Sequence, residues 1–522
     1  MRSWLRLGEY RSKIGRRSRS TPGTIVGMNV IVVVCNGLHL GFVGAYGNAW
    51  IETPRIDRLA SEGVLFDQCF ADNLTTLPTR RSWWTGRHGF HDPESGWTPL
   101  RHDETILADV LWNRGVRTAL ISDSPMLRQA GHGFGRGFDD VVWVRGSGYD
   151  PWIVAGDRRA GKINLASERG LRLPPADDPD RTLWIERWEQ LLRNRAVLQT
   201  HQEENTGAAR TVGAAIEWLE RRGKSDDPFL LWVDMLSPHG PWDLPEADRD
   251  RYATIEPDEF EIGDEGDLIE NLAEVAPESL DEVACLIDVP AGAIGDVLDE
   301  AELLRLRRTY AGAVTLADRE IGKLLDAIDS MGLADDTLVV FAGDQGEPLG
   351  EHGYVRRLRP WLYEELIHIP LILRLPKGEY GGLRRQAITQ PIDLYPTILS
   401  ALGVRKRDDA SHGLDLLPLI RGEKTHLRDY ACMGMDAEEF AIRTHHWHLI
   451  VPIETDPDDP PRPPELYRKP EDRWDQNNVI EEYVEIAEHL ELTLRRFVES
   501  LQKGEGDDPP PLRMIARYGT NL

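Results

Sequence analysis

The sequence predicts an α/β protein: a mostly parallel central sheet flanked by helices, followed by a smaller C-terminal α+β lobe. Three observations predict this. Residues 29–35 (NVIVVVC) form a continuous β-branched apolar run, the signature of a parallel strand covered on both faces. Similar runs alternate with amphipathic helical segments along most of the chain, which implies helices on both sides of the sheet and right-handed crossovers. From about residue 403 the rhythm changes to short strands and one last helix.

Residues 1–27 carry Arg2, Arg6, Arg11, Lys13, Arg16, Arg17 and Arg19 and lack the apolar core of a secretory signal, so they read as a disordered basic arm. Met28 stands directly before the first strand, and the sequence leaves both Met1 and Met28 open as the start. Residues 54–63 have helical spacing at Ile56, Leu59 and Ala60, with Gly63 as the stop. A helix over 105–115 leads to a strand over 118–122. A helix over 208–222 leads to a strand over 229–235. A long helix over 303–331 stops at Gly332, and strands follow at 337–342 and 371–374. Two stretches break the rhythm: 140–205, with Gly, Pro and Trp among charges, and 245–300, which is strongly acidic. Both read as insertions at strand ends, where functional loops concentrate. In the last part, strands are expected at 440–443 and 447–451, a Pro-rich surface loop at 456–464 and a helix at 484–502. The expected organisation is a basic arm over 1–27, an α/β domain over 28–402 with insertions near 140–205 and 245–300, and a C-terminal α+β subdomain over 403–522.

Composition narrows the function classes. The 522 residues hold 61 Lys and Arg against 88 Asp and Glu, a net charge of −27. General affinity for nucleic acid, which is driven by basic side chains, is excluded as an expectation. The apolar stretch 25–34 is far short of the roughly 20 residues a membrane span needs, so no membrane insertion is expected. Cys35, Cys69, Cys285 and Cys432 are scattered without a CxxC pair, which argues against a disulfide framework or zinc cluster. Reduced thiols and the missing signal segment point to the cytoplasm. Nothing in the pattern fixes the oligomeric state.

The most informative stretch is Thr76-Leu77-Pro78-Thr79-Arg80, running on into Arg81-Ser82-Trp83-Trp84-Thr85-Gly86-Arg87. It resembles the nucleophile motif of the sulfatases: Cys or Ser, any residue, Pro, any residue, Arg, then a helix ending in Thr-Gly-Arg. Other segments resemble the same family in the same order. They are 29–48 (NVIVVVCNGLHLGFVGAYGN), 53–66 (TPRIDRLASEGVLF), 237–242 (SPHGPW), 337–353 (TLVVFAGDQGEPLGEHG), 390–404 (QPIDLYPTILSALGV) and 465–478 (ELYRKPEDRWDQNN). The resemblance covers nearly the whole chain from residue 29. It implies the sulfatase-like fold of the alkaline phosphatase superfamily.

What the resemblance implies for the site is a family pattern with specific departures. Thr76 stands where sulfatases carry the Cys or Ser that is oxidised to formylglycine, so no formylglycine is expected at Thr76. The family's calcium-holding Asp-Asp pair falls on Asn36 and Gly37, and its later Asp with His or Asn falls on Asp344 and Gln345. Asn36, Asp344 and Gln345 therefore imply a weak or lost Ca2+ site, since hard-cation affinity falls with ligand charge. The family's Lys-any-His pair falls on Asp123 and Pro125. Three groups suited to an anion remain. Arg80 matches the motif arginine, His239 the histidine that meets the leaving ester, and Arg359 stands where the family carries lysine. Trp83 and Trp84 are expected to pack in the core behind the site.

These departures divide the expected functions. One is a sulfuric ester hydrolase acting on a sulfate or phosphate ester through Thr76, Arg80, His239 and Arg359. A second is a catalytically inactive relative, a pseudoenzyme, that binds a small anionic ester ligand. A third is a threonine-nucleophile phosphodiesterase, which would need a metal cluster that His239, His352 and Asp344 supply poorly. A fourth is a structural or regulatory partner of a genuine sulfatase. Acidic surroundings favour a small or neutral-bodied ester over a polyanion.

Overall fold

The computed structural model describes residues 28–223, 225, 227–253, 285–356, 362–404, 411–435, 438–453, 462–504 and 512. The expected basic arm, much of the acidic stretch after 253, most of the Pro-rich loop and Arg359 lie outside the described residues. In chain order the strands are β1 (Asn29–Asn36), β2 (Val64–Phe66), β3 (Arg117–Ser122), β4 (Asp140–Trp143), β5 (Phe229–Pro238), β6 (Gly292–Ala293), β7 (Thr337–Gly343), β8 (Tyr354–Val355), β9 (Leu371–Arg374), β10 (Leu383–Arg385), β11 (Tyr430–Met435), β12 (Glu439–Thr444), β13 (Trp447–Pro452) and β14 (Glu465–Arg468). The longer helices are α1 (Pro54–Glu62), α2 (Thr76–Thr85), α3 (Leu107–Trp112), α4 (Arg181–Leu198), α5 (Gly207–Arg222), α6 (Glu300–Ser330), α7 (Leu394–Ala401) and α8 (Val484–Gln502).

The central sheet has eight strands in the order β10-β2-β9-β7-β1-β5-β3-β4. β7, β1, β5, β3 and β4 are mutually parallel, and β9 alone runs against both its neighbours, β7 and β2. The β1 run is apolar throughout because both of its faces are covered. Val30, Val32 and Val34 pack with Leu77 and Trp83 of α2, Leu107 of α3 and Leu394 of α7. Ile31, Val33 and Cys35 pack on the other side with Ile56 of α1, Val212 of α5 and Leu306 of α6. The strand period of two therefore splits one sequence run between two cores. Trp83 and Trp84 are buried as expected, and Trp84 meets Trp232 of β5 edge to face at 5.6 Å.

Local signals explain the helix ends. Asp299 Oδ1 accepts the Glu302 N–H at 2.8 Å, and Glu302 accepts back from Asp299 N at 3.1 Å, a capping box that starts α6 before the expected residue 303. Pro54 opens α1 at the first helical position, where a missing N–H costs nothing. The stretch 140–205 opens on β4, an edge strand of the central sheet, and contains α4. The four cysteines are buried and free. Among the described residues, no helix is long and apolar enough to cross a membrane.

The C-terminal sheet is antiparallel, in the order β11-β12-β13-β14, and α8 covers it. Ile486, Leu490, Leu494, Phe497 and Leu501 recur three to four residues apart and face Ile442, Leu449 and Leu466. A buried polar cluster joins this lobe to the segment before β9. Glu364 pairs with Arg443 at 3.2 Å and Lys469 at 3.3 Å, and Lys469 also meets Asp475 at 2.7 Å. Asp475 in turn bonds His448 at 2.9 Å and the Glu364 N–H at 2.8 Å.

His352 closes the cluster, stacked on Tyr363 at 3.5 Å. Its Nδ1 faces Glu365 Oε1 at 2.8 Å and its Nε2 faces the Asp475 carbonyl at 3.0 Å. Two acceptors demand two N–H donors, which only the imidazolium has. Burial opposes that charge, but Glu365 and the Asp475 carbonyl override it and lift the His352 pKa to about 9. Burial also pushes the Glu365 carboxyl up, with the imidazolium working against it. The two facing groups and the lifted imidazole pKa favour a protonated His352 at neutral pH.

A folded-state pKa raised above the unfolded value gives stability that is complete below about pH 6.5 and lost as pH rises through about 9. His352→Gln should therefore cost on the order of 2–3 kcal/mol at pH 6 and much less above pH 9.5. Denaturant unfolding of both proteins across that range checks it. A difference that stays constant with pH would show that the imidazolium carries none of the effect.

Candidate active-site centre

The parallel strands end together, and the residues following them form the centre. Asn36 ends β1, His239 follows β5, Asp344 follows β7 and Asp123 follows β3. This is the carboxyl edge of an open α/β sheet, where ligands of such folds lie. After Asn36 the chain turns at Gly37, whose φ of +67° suits glycine. Tyr310 of α6 pins the turn: its hydroxyl donates to the Gly37 carbonyl at 2.7 Å and accepts the His39 N–H at 2.8 Å.

Thr76 begins α2 on this edge and is fully buried. Asn36 Nδ2 donates to its hydroxyl at 2.8 Å. The preceding Thr75 has φ +68°, a costly backbone for a β-branched residue, and Gln345 Oε1 accepts its N–H at 2.7 Å. The backbone N–H of His239 donates to the Asn36 carbonyl at 2.9 Å. Asp344 Oδ1 accepts the Gly37 N–H at 3.0 Å.

Arg80 lies one turn along α2 and is fully buried. Its Nε and Nη2 meet the two oxygens of Asp234 on β5 at 2.5 and 3.0 Å, and its Nη1 reaches Asp344 at 3.1 Å. Trp232 Nε1 also donates to Asp234, at 3.1 Å. Burial works against the guanidinium charge, but the two carboxylates more than offset it and hold the pKa above the ordinary arginine value. Six of the seven residues singled out from the sequence (Asn36, Thr76, Arg80, His239, Asp344 and Gln345) thus belong to one bonded cluster. Arg359 lies outside the described residues.

Three charged residues of the centre were missed. Asp234 carried a signal: a lone carboxylate inside the buried run FLLWVDML. Glu347 and Arg356 carried none beyond their place in a loop. Arg356 pairs with Glu347 at 2.9 Å and Asp288 at 3.3 Å, and stacks over Trp242. Burial nonetheless pushes the Asp288 carboxyl up to about 7, with Arg356 opposing. A side chain at Gly37 would meet Glu347 Oε2 at 3.1 Å and His239 Cβ at 3.2 Å, so Glu347 fills the space beside that turn.

A cavity of about 80 Å³ lies beside His239, lined among others by Asp123, Ser147, Thr200, Thr206 and Asp243. Asp123 accepts the Leu236 N–H at 2.7 Å and the Ser147 hydroxyl at 2.8 Å, and burial raises its pKa. Hydroxyls and carboxylates line this space, and the described lining includes no lysine or arginine.

The three expected ligands do not by themselves make up a calcium site. Of the three expected ligands, Asp344 has one oxygen on a backbone N–H and the other on a guanidinium. Gln345 spends its oxygen on Thr75, and Asn36 presents its amide nitrogen to Thr76. Calcium needs six or more oxygens, several of them anionic. A second group of ligand types, Glu364, His448 and Asp475, is close enough to hold a metal ion. There the Lys469 ammonium and the Arg443 guanidinium already supply the positive charge. His352 is likewise committed, both its nitrogens being bonded in that cluster.

Comparison with known proteins agrees with this architecture. The sulfatase family model matches residues 28–404, and a model for the C-terminal part of N-sulphoglucosamine sulphohydrolase matches residues 350–500. The N-acetylglucosamine-6-O-sulfatase of Bacteroides thetaiotaomicron is 25% identical over 547 residues, covering 92% of this chain and 87% of that protein. An arylsulfatase of Clostridium perfringens is 24% identical, covering 92% and 96%. Among solved structures, the phosphonate monoester hydrolase of Agrobacterium radiobacter superposes with a TM-score of 0.63 at 19% identity, over 92% of this chain and 96% of that one. A structure in complex with its substrate D-glucosamine-2-N,6-O-disulfate gives 0.64 at 21% identity, over 93% and 100%. The chain belongs to the sulfatase family, with that family's sulfuric ester hydrolase architecture.

Proposed function

We propose that this protein keeps the sulfatase binding edge for a small sulfate- or phosphate-ester ligand with a neutral body and does not turn it over by formylglycine chemistry. The observation that carries the reading is the surroundings of Thr76. Its hydroxyl is buried, and among the described residues its hydrogen-bond partner is the Asn36 amide. An amide is no base at neutral pH, and an alcohol without a base or metal is a weak nucleophile. The same contact weighs against a threonine-nucleophile phosphodiesterase. Oxidation at a threonine carbon would in any case give a ketone rather than the aldehyde of formylglycine.

The ligand class rests on the cavity beside His239. Its hydroxyls suit a polyol or other neutral body, and Asp123 and Asp243 disfavour further negative charge along that wall. His239 is the imidazole lining this wall, and the reading assigns it the contact with an ester oxygen.

Three outcomes are expected. Peptide mass spectrometry across residues 74–80 should find Thr76 at its unmodified mass, and any oxidised form there would contradict the reading. Nitrophenyl sulfate and nitrophenyl phosphate should not be hydrolysed above the uncatalysed rate. A monosulfated monosaccharide should raise the melting temperature of the parent, and His239→Ala should abolish the rise. Turnover that survives repurification and disappears in Thr76→Ala would replace binding with catalysis. No melting shift with either ligand type would remove the binding edge from the proposal.

A further inference from the structure

The sulfatase pattern centres on a divalent cation, and this chain centres on a guanidinium. We infer that Arg80 takes over the cation's structural role, that Asp234 is the residue that holds it there, and that the centre is independent of metal. The inference goes beyond the ligand reading above and does not depend on it.

Four observations carry it. Arg80 is fully buried and bridges two carboxylates on different strands, Asp234 on β5 at 2.5 and 3.0 Å and Asp344 after β7 at 3.1 Å. A metal ion ties strand ends together in the same manner, by accepting anionic oxygens from several elements. The bidentate fork on Asp234 fixes the direction of the guanidinium, and Trp232 Nε1, at 3.1 Å, fixes the carboxylate. Both oxygens of Asp344 have a neighbour: one accepts the Gly37 N–H at 3.0 Å and the other lies 3.1 Å from Arg80 Nη1.

The fourth observation is at Gly37. A side chain restored there would be strained, because φ is +67°, and would press on Glu347 Oε2 at 3.1 Å and His239 Cβ at 3.2 Å. Glu347 is itself balanced by Arg356 at 2.9 Å. The positions around the β1 turn are therefore filled by a second guanidinium–carboxylate pair. Each pair places a fixed guanidinium charge among these carboxylates, Arg80 between Asp234 and Asp344 and Arg356 between Glu347 and Asp288.

The proposal implies a latent cation site. Removing the Arg80 charge leaves Asp234 and Asp344 buried without compensation, and a hard cation can then bind between them. The parent should contain no stoichiometric metal by elemental mass spectrometry, and its melting temperature should be the same in excess EDTA and in millimolar calcium. Arg80→Gln should melt lower in EDTA, recover with calcium, and bind calcium or terbium roughly ten-fold or more tightly than the parent, as two uncompensated carboxylates require. Arg80→Lys, which keeps the charge and loses the fork, should melt lower and show no calcium response. Asp234→Asn added to Arg80→Gln should abolish the calcium response. Stoichiometric metal in the parent, or a melting temperature that falls in EDTA, overturns the inference even if Arg80→Gln does not fold. A folded Arg80→Gln without a calcium response overturns the latent site. Neither result bears on sugar-sulfate binding, so the two readings fail separately.

Discussion

The ion pairs of Arg80 with Asp234 and Asp344 are the constraint on which the rest of the centre depends. They join α2 to β5 and β7, three elements far apart in sequence, at the edge where the parallel strands end. Two buried carboxylates at that edge would each be costly to desolvate alone. A guanidinium between them offsets part of that penalty, and truncating one member of such a buried set typically costs about 3–5 kcal/mol. The position of Thr76 follows from this anchor. Arg80 fixes the register of α2, and the first turn of the helix then delivers the Thr76 hydroxyl to Asn36 at 2.8 Å.

The same logic of internal charge compensation recurs around the centre. Arg356 balances Glu347 and Asp288 beneath Trp242, and Lys469 with Arg443 balances Glu364 and Asp475 at the junction with the C-terminal lobe. Each network is buried, so each acts as a register pin as well as a source of attraction: a shifted strand would strand a charge in apolar surroundings. The junction also explains why the C-terminal lobe sits close to the metal-type loop after β7. His352 lies in that loop and reaches the lobe through the Asp475 carbonyl at 3.0 Å.

Across this edge the charge of the described side chains is set largely by internal pairing. Among the described residues Arg80 and Arg356 are paired with carboxylates, and Asp123 faces the cavity where the family pattern has lysine. A buried arginine already forked onto one carboxylate and paired with another has little left to offer a sulfate oxygen. The polar wall that remains open to a ligand is made of hydroxyls, Asp123, Asp243 and His239. That wall is the ground on which a neutral-bodied ligand is proposed for the cavity in place of a polyanion.

Much of the fold was legible in the sequence, because strands and helices buried on a broad face write their period into the chain. The run at β1, the helix α8 at 484–502 and the strand β9 at 371–374 are cases where the expected and observed spans nearly or fully coincide. The strands β2 and β10 were not legible, since three residues carry too little periodicity to separate strand from loop, and the half-buried edge strand β4 was read as part of the loop that follows it. For the site, motif order alone brought Asn36, Thr76, Arg80, His239, Asp344 and Gln345 to one edge. What only the tertiary structure decided is who partners whom. A motif arginine looks the same in one dimension whether it holds a ligand or is tied to the protein. Its direction depends on Asp234, a residue 154 positions away, and such distant pairing is set by the closure of the sheet and not by local sequence.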